Sequence, residues 1–225
     1  MATPTPPPAP SASPVERIQR AYAARAESDY IFSFWTAFGW TLLTCGIYGF
    51  YVVYQLTRRS RDHNQRRLEL LDAATAAAWE RAQSSGRADE LRPRFESMGM
   101  HLGVLRELTT AFRDPVIWTV LSLLGSIVHI ILYILLDGDL CKHDAAERAA
   151  EAELAGIYGA LGADLPVPTG AAKQPHNYVA RVIVAIVTVG IYTLWWLYNI
   201  MDEENRHFEE NWAWEDSLRH ALGGG

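Results

Sequence analysis

Large apolar residues are concentrated in three runs, and the charged residues lie between them. The runs are Ile31 to Leu56, Val116 to Leu136 and Val179 to Met201. Each has about the 20 apolar residues that a helix needs to cross the hydrocarbon core of a bilayer, whereas an apolar stretch of 10–14 is more typical of a buried core helix. The pattern therefore predicts an all-α, integral membrane helical protein with about three transmembrane helices.

The polar segments between the runs have helical patterns of their own. Apolar residues recur at helical spacing on both sides of the break at 84–86, which predicts a soluble amphipathic helical hairpin. An Ala- and Glu-rich helix is predicted from His143 to Leu161. The predicted division is a disordered Pro/Ala/Ser-rich tail and lead-in at 1–30, a transmembrane helix at 31–56, the soluble hairpin at 57–115, a second transmembrane helix at 116–136, a polar helical loop at 137–177, a third transmembrane helix at 178–201 and an acidic, Trp-containing tail at 202–225.

An internal repeat relates the first and third runs. Residues 43–48 (LTCGIY) align with residues 187–192 (VTVGIY), and the same offset aligns His63 with His207. With one run between them, the two copies are predicted to cross the membrane in the same direction. Because glycine allows a kink, re-entrant segments that turn back are the alternative to full spans.

The two copies resemble the family known as domain of unknown function 4234, whose hallmark is a T-x-G-I-Y core followed by aromatic residues and a charged exit. The resemblance implies an uncharacterised bacterial protein in a membrane, and we expect the cytoplasmic membrane. It implies no activity, substrate or catalytic residue. The matching residues are Thr44, Gly46, Ile47 and Tyr48 in the first copy and Thr188, Gly190, Ile191 and Tyr192 in the second.

Polar side chains within the runs are the candidate intramembrane sites. Gln55, His129 and Asn199 are the clearest, because a polar group in a membrane prefers a protein or water partner to lipid. The commoner use of such residues is hydrogen bonding between helices, which predicts packing faces. A polar path through a small transporter or channel subunit is the alternative.

Charges beside the two copies predict an orientation and a set of ion pairs. Five arginines within 57–67 place residues 57–115 in the cytoplasm by the positive-inside rule. Because the first copy has a basic exit and the second an acidic one, we expect the two exits to pair, within one chain or between two. Anionic lipid is an equal alternative for the arginines. The candidate pairs are Arg58 with Asp202, Arg59 with Glu203 and Arg66 with Glu210.

Sequence motifs for catalysis and for nucleic-acid binding are missing. The sequence has no Gly-rich phosphate loop, GxSxG or HExxH motif, and its formal net charge is −6. Cys45 is expected inside the bilayer and Cys141 in an exposed loop, where Cys141-Lys142-His143-Asp144 is too short a ligand set for zinc. We therefore expect the protein to have no enzymatic activity, no cofactor and no metal site, and to bind no nucleic acid. The expected function is structural or interactive, with the lipid bilayer, a second copy or an unidentified membrane partner.

Overall fold

All regular structure in the described part of the chain is helical. A computed structural model describes residues 12–223. The elements are α1 (Pro14–Ala23), α2 (Arg25–Ser28), α3 (Phe34–Leu43), α4 (Ile47–Ser84), α5 (Ala88–Thr110), α6 (Pro115–Leu121), a 3₁₀ turn (Ser122–Leu124), α7 (Ser126–Ala160), α8 (Tyr178–Val187) and α9 (Tyr192–Ala221).

The three apolar runs do not form transmembrane helices. Among residues 12–223, no helix combines the length and the apolar character that crossing a membrane requires. Each run is interrupted near its middle, between α3 and α4, between the 3₁₀ turn and α7, and between α8 and α9. The predictions of three spans, of a multi-pass arrangement and of an integral membrane location are therefore wrong. The predicted cytoplasmic position of residues 57–115 was based on those spans and has no remaining support.

The repeated T-x-G-I-Y sequence produces two of these interruptions. Cys45 and Gly46 have φ values of 50° and 94°, and Val189 and Gly190 have nearly the same values, 52° and 87°. The Gly46 N–H donates to the carbonyl oxygen of Thr41 at 2.8 Å, which is the long hydrogen bond that closes a helix C-terminus. Two successive left-handed residues end one helix and reverse the chain, so the motif encodes a turn.

The threonine of the motif caps the helix that follows the turn. Thr44 Oγ1 accepts a hydrogen bond from the Tyr48 N–H at 2.9 Å, and Thr188 Oγ1 accepts one from the Tyr192 N–H at 3.1 Å. These hydroxyls satisfy backbone donors that the start of a helix leaves without a partner. In the middle run, Gly125 has a φ of 108° and separates the 3₁₀ turn from α7.

Each interrupted run folds back as a short arm followed by the start of a long helix, which we call a hairpin; α3 and α8 pack beside the helices that follow them, and α6 packs beside α4. Gly49 on α4 faces Thr41 on α3, and Ala37 and Val53 lie deeper in the same core. We call residues 34–56 hairpin 1, residues 115–136 hairpin 2 and residues 178–201 hairpin 3. Their inner faces share one hydrophobic core, whose buried members include Val52, Val53, Leu56, Leu132, Leu136, Trp196 and Ile200.

The long helices α4, α7 and α9 run side by side in the same direction. His63, His143 and His207 lie at one level, with ring centroids 5.2–6.0 Å apart. The helices begin 16, 17 and 15 residues before these histidines. At a rise of about 1.5 Å per residue, the three helix starts lie about 22–26 Å from the histidines. The turns of the three hairpins therefore lie at one end of the molecule.

The other end of the three long helices forms a polar-surfaced head with α1 and α5. Its separate core contains Leu70, Met98, Leu154 and Trp214. Helices α7 and α9 pass through the predicted boundaries at 136 and 201 without a break. The side chains change there from apolar to polar, but the backbone hydrogen bonds of each helix continue. The predicted loop at 137–177 and tail at 202–225 thus begin inside α7 and α9.

The segment before α3 is helical where the structure describes it. Ser13 and Glu16 form a capping box around Pro14, and Ile18 and Ala21 pack into the core of the head. The predicted lead-in is helical at residues 14–23 and 25–28, where the capping box and the apolar face stabilise the first helix. Residues 1–11 of the predicted tail lie outside the described residues.

Candidate functional site

The outer surfaces of the hairpins carry most of the exposed apolar side chains. Of the 29 large apolar side chains that are exposed in the described residues, 23 belong to hairpins 1–3. Leu43 is 76% exposed, Leu124 is 73% exposed and Val189 is 92% exposed, and these three lie at the three turns. Single exposed apolar residues are ordinary, but a large continuous apolar surface marks a binding site.

The hairpins contain almost no charge, and charged residues follow directly below them. Hairpins 1 and 2 contain no Asp, Glu, Lys or Arg, and hairpin 3 contains only Arg181. Arg181 is 8% exposed, with its guanidinium 5.5 Å from the ring of Trp196. At the base, Arg113 pairs with Asp139, and Lys173 pairs with Asp137. The surface therefore changes sharply from apolar to charged.

The length of the short arms determines how far the hairpins project beyond this boundary. Helices α3 and α8 have 10 residues each, and α6 has 7 residues followed by a 3-residue 3₁₀ turn. Ten helical residues span about 15 Å. The three hairpins thus form an uncharged projection about 15 Å deep.

The polar residues predicted to meet between spans lie apart in the structure. The Gln55 side chain donates to the Tyr51 hydroxyl at 3.0 Å on the same helix. The half-exposed His129 ring lies 3.3 Å from the carbonyl oxygen of Gly125, and Asn199 is half-buried on α9. Among the hydrogen bonds of residues 12–223, none joins any two of Gln55, His129 and Asn199, so these three do not form a connected polar path.

The buried arginines after hairpin 1 bind acids of α9, but the partners differ from the predicted ones. Arg59 Nε donates to Glu204 Oε2 at 2.7 Å, one residue beyond the predicted partner. Arg66 binds Glu215 at 2.7 Å, five residues beyond, and Asp29 at 2.6 Å. The buried arginines pair with the acids of α9 that face the interior, and the repeat offset alone does not identify which acids those are. The other predicted residues pair as Arg58 with Asp62, Asp202 with Arg206, Glu203 with Lys173 and Glu210 with Arg148.

Arg67 joins the three long helices at the centre of the molecule. It is fully buried and binds Glu147 and Glu151 on α7 and Glu215 on α9. Burial opposes its charge, but the three carboxylates outweigh burial and hold the pKa of Arg67 above its ordinary value. Arg59, Arg66 and Arg67 are therefore held in buried ion pairs, whereas Arg58 and Arg61 of the same stretch are partly exposed.

Three histidines and one carboxylate meet beside Arg67. We call His63, His143, Glu147 and His207 the histidine layer, and all four are buried. Burial lowers the pKa of His63 to about 4 and that of His143 to about 3, so both rings are neutral at pH 7. Burial also opposes the charge of His207, but carboxylates 3.3 Å away on Asp144 and Glu147 raise its pKa to about 9. These four side chains are one of two groups in the described residues that could hold a metal ion, and the other is Asp137, His176 and Glu203.

Sequence reasoning missed the histidine layer and misplaced Cys141. Two signals pointed to the layer: the repeat aligns His63 with His207, and His143 and Glu147 are four residues apart on one helix face. Cys141 is buried on α7, not exposed in a loop, and Cys45 is exposed at the turn of hairpin 1.

Comparison with known proteins supports the family resemblance over about half of the chain. The family model described as Domain of unknown function (DUF4234) matches residues 32–136. The match covers hairpins 1 and 2 and helices α4 and α5, and the second copy of T-x-G-I-Y lies outside it. No curated protein and no solved structure matches the chain.

Proposed function

We propose that this protein is an interaction component that binds a lipid surface, with the tips of hairpins 1–3 inserted into one leaflet and the helical head outside. The observation that carries the proposal is the set of three nearly uncharged hairpins that end together and expose apolar side chains. The chain enters and leaves on the same side in every hairpin, so none of its helices needs to cross the bilayer. The proposal includes a non-catalytic role and a bacterial origin, both of which are carried over from the sequence.

The depth of the hairpins fits half a bilayer. The hydrocarbon core of a typical bilayer is about 30 Å thick, so one leaflet contributes about 15 Å. The arms of 10 residues project by about the same distance. The turn residues would then lie near the bilayer centre, and the pairs of Arg113 and Lys173 would lie at the headgroups.

The backbone of the turns is suited to an apolar environment. An unsatisfied backbone N–H in hydrocarbon costs several kcal/mol. At the turn of hairpin 1, the N–H groups of Cys45, Gly46 and Ile47 all donate to carbonyl oxygens within the turn. The second copy repeats these bonds at Val189, Gly190 and Ile191.

The apolar surface is large enough to hold the protein on lipid. Complete burial of a large apolar side chain contributes about 1.5–3 kcal/mol. The 23 hairpin side chains are about half exposed on average, so their transfer contributes on the order of 20 kcal/mol in total. This exceeds an association cost of about 4–15 kcal/mol.

The directions of the exposed side chains favour lipid over a second copy of the chain. Trp35 on α3, Ile117 on α6 and Ile183 on α8 are 74%, 58% and 55% exposed. Because the three hairpins surround one shared core, these residues face outward from three separate arms. A dimer interface would cover one face, whereas lipid surrounds all three arms.

Vesicle flotation with the full chain tests the proposal. The wild type should float with neutral phosphatidylcholine vesicles. A triple variant with one charge at each turn, Leu43→Asp, Leu124→Asp and Val189→Asp, should bind more than a hundredfold more weakly, because a charge at the bilayer centre costs at least about 2.5 kcal/mol. The matched control places the same three charges at exposed apolar residues of the head, Met100→Asp, Val104→Asp and Val167→Asp, and should bind like the wild type.

The native cysteines give a second readout on the same samples. A water-soluble maleimide should label Cys45 in the lipid-free protein and leave the buried Cys141 unlabelled. Vesicles should protect Cys45. A wild type that sediments as a dimer, does not float and keeps Cys45 reactive with vesicles present would refute the lipid proposal in favour of self-association.

A further inference from the structure

The geometry points to a second site, distinct from the hairpins: His63, His143, Glu147 and His207 bind one divalent transition-metal ion of the zinc class between α4, α7 and α9. The four residues each offer one ligand atom, and these atoms all lie within 4.8 Å of one another. Imidazole nitrogen and carboxylate oxygen are both zinc ligands, and four such atoms fill its tetrahedral coordination shell.

Ring nitrogens of the layer are buried, and most of them make no hydrogen bond within the described structure. Nε2 of His63 and both ring nitrogens of His143 have no partner, and Nε2 of His207 has only the Glu147 carboxylate, 3.3 Å away. A buried polar atom without a partner costs about 1–3 kcal/mol, so several in one place require a reason. Coordination of one ion would satisfy a nitrogen of each histidine.

The distances require only a small inward movement. Bonds of about 2.1 Å to a tetrahedral ion place ligand atoms about 3.4 Å apart. From a separation of up to 4.8 Å, each ligand atom needs to move inward by less than about 1 Å. All four residues are on packed helices, so this movement falls to the side chains, and Glu147 would share its oxygens between the ion and its donors Arg67 and Asn211.

Carboxylates behind two of the histidines hold the rings in a ligating orientation. Asp29 Oδ1 lies 3.0 Å from His63 Nδ1, and Asp144 Oδ1 lies 3.3 Å from His207 Nδ1. In both rings the opposite nitrogen, Nε2, faces the layer. Metal-binding histidines usually have such a carboxylate or carbonyl partner on the far nitrogen, which sets the tautomer and the ring orientation.

The surroundings of the layer have more buried acids than buried bases. The buried acids are Asp29, Asp144, Glu147, Glu151, Glu204 and Glu215, and the buried bases are Arg59, Arg66 and Arg67, with His207 as a fourth cation while no ion is bound. A dication would supply the missing positive charge.

The position of the site suggests a structural role. The layer lies where the three long helices pass from the head to the hairpins, and each helix contributes at least one ligand. All four coordination positions are filled by protein, as in structural zinc sites and unlike catalytic ones, which keep one position open. The ion would fix the relative register of α4, α7 and α9 and so keep the three turns at one level.

Metal content of the full chain tests the site. The protein is purified through a tag without histidine from zinc-supplemented cells, and zinc is measured by mass spectrometry. We expect one zinc ion per chain, and less than 0.1 in His143→Asn and in His207→Asn. The exposed His220→Asn serves as the control and should keep one ion. His176→Asn should keep it as well, since His176 belongs to a separate group with Asp137 and Glu203.

Measurements on the unmodified protein keep the test independent of folding of the variants. Cobalt(II) added to chelator-stripped wild type should give the intense visible absorption of a tetrahedral site. Zinc at a hundred times its dissociation constant should raise the melting midpoint by about 5–10 °C. Asp144→Asn, which removes the partner of His207, should bind zinc 10–100-fold more weakly.

Two results would overturn the site. One is a wild-type protein that contains less than 0.1 metal ion per chain, gives no tetrahedral cobalt spectrum and shows no change of melting midpoint with zinc. In that case a proton on His207, held between Asp144 and Glu147, takes the place of the ion. The other is zinc that survives His143→Asn and disappears in His176→Asn, which would assign the ion to the second group. Because metal content is measured on lipid-free protein and does not depend on vesicles, failure of this site and failure of lipid binding are distinguishable.

Discussion

Replacement of Gly46 by alanine tests whether the first apolar run contains a turn, because a turn and a continuous helix predict opposite effects on stability. Gly46 has a φ of 94°, and a Cβ at this position would meet no atom within 4 Å. The effect of the substitution is therefore conformational and involves no clash. A left-handed conformation costs an L-residue about 1–2 kcal/mol, so the folded state of Gly46→Ala should lose about that amount.

The second copy of the turn and a helical glycine provide internal comparisons. Gly190 has a φ of 87° and equally open surroundings, so Gly190→Ala should cost about the same 1–2 kcal/mol. Since the two turns belong to separate hairpins, the double variant should lose about 2–4 kcal/mol. Gly39 lies within α3, also with no atom within 4 Å of a Cβ, and Gly39→Ala should gain about 0.5–1 kcal/mol.

Thermal unfolding followed by circular dichroism, with all variants in one nonionic detergent, measures these differences. For a chain of this size 1 kcal/mol corresponds to about 2–4 °C, so Gly46→Ala should lower the midpoint by about 2–8 °C and Gly39→Ala should raise it by about 1–4 °C. If Gly46→Ala raised the midpoint as Gly39→Ala does, residue 46 would lie in an uninterrupted helix and the hairpin would be refuted.

Two further predictions concern the charges below the hairpins. Arg67→Ala should destabilise the protein by about 3–5 kcal/mol in denaturant titrations, because it leaves buried carboxylates without their counter-charge. Arg92→Ala on the surface should change the free energy of unfolding by less than about 0.5 kcal/mol. Equal effects of the two substitutions would contradict the buried ion-pair network. Burial opposes ionisation of Asp137, but Lys173 and the other hydrogen-bond donors to Asp137 outweigh burial and lower the pKa of this carboxyl group. The ionised carboxylate therefore stabilises the fold at pH values above the unfolded-state pKa of about 3.9. This contribution is lost as the pH falls through the folded-state pKa. Asp137→Asn should therefore cost about 1–3 kcal/mol at pH 7, with a difference from wild type that narrows below about pH 4; a difference that is constant with pH would show that the carboxylate charge contributes nothing.

Local patterns predicted the helices well and predicted their ends poorly. The helical spacing in 57–115 anticipates α5 and the second part of α4, and the break at 84–86 lies at the turn between them. The ends at 136 and 201 were inferred from a change in polarity. A helix is maintained by backbone hydrogen bonds, which do not depend on whether its side chains face lipid, protein or water. Helices α7 and α9 therefore continue through both positions.

The error over the apolar runs has a specific physical origin. Hydropathy measures how much apolar surface a segment has, and it contains no information about chain direction. The direction is determined at a few residues, here Cys45 and Gly46 and their equivalents Val189 and Gly190, whose φ values are positive. In the sequence, Gly46 and Gly190 marked the positions at which a reversal of chain direction was sterically allowed. A cysteine and a valine adopt that conformation only because the surrounding hydrogen bonds and the packed arms compensate the strain.

The sequence by itself determined the helical class, the three apolar segments and the place of the two T-x-G-I-Y motifs, because these depend on residues close together in the chain. Only the tertiary structure decided that the apolar segments fold back, that Arg59 binds Glu204, and that His143 joins His63 and His207. These contacts connect residues 64–145 positions apart, and no local pattern specifies which faces of α4, α7 and α9 pack together. The side chains that meet between the three helices are selected by the geometry of that packing.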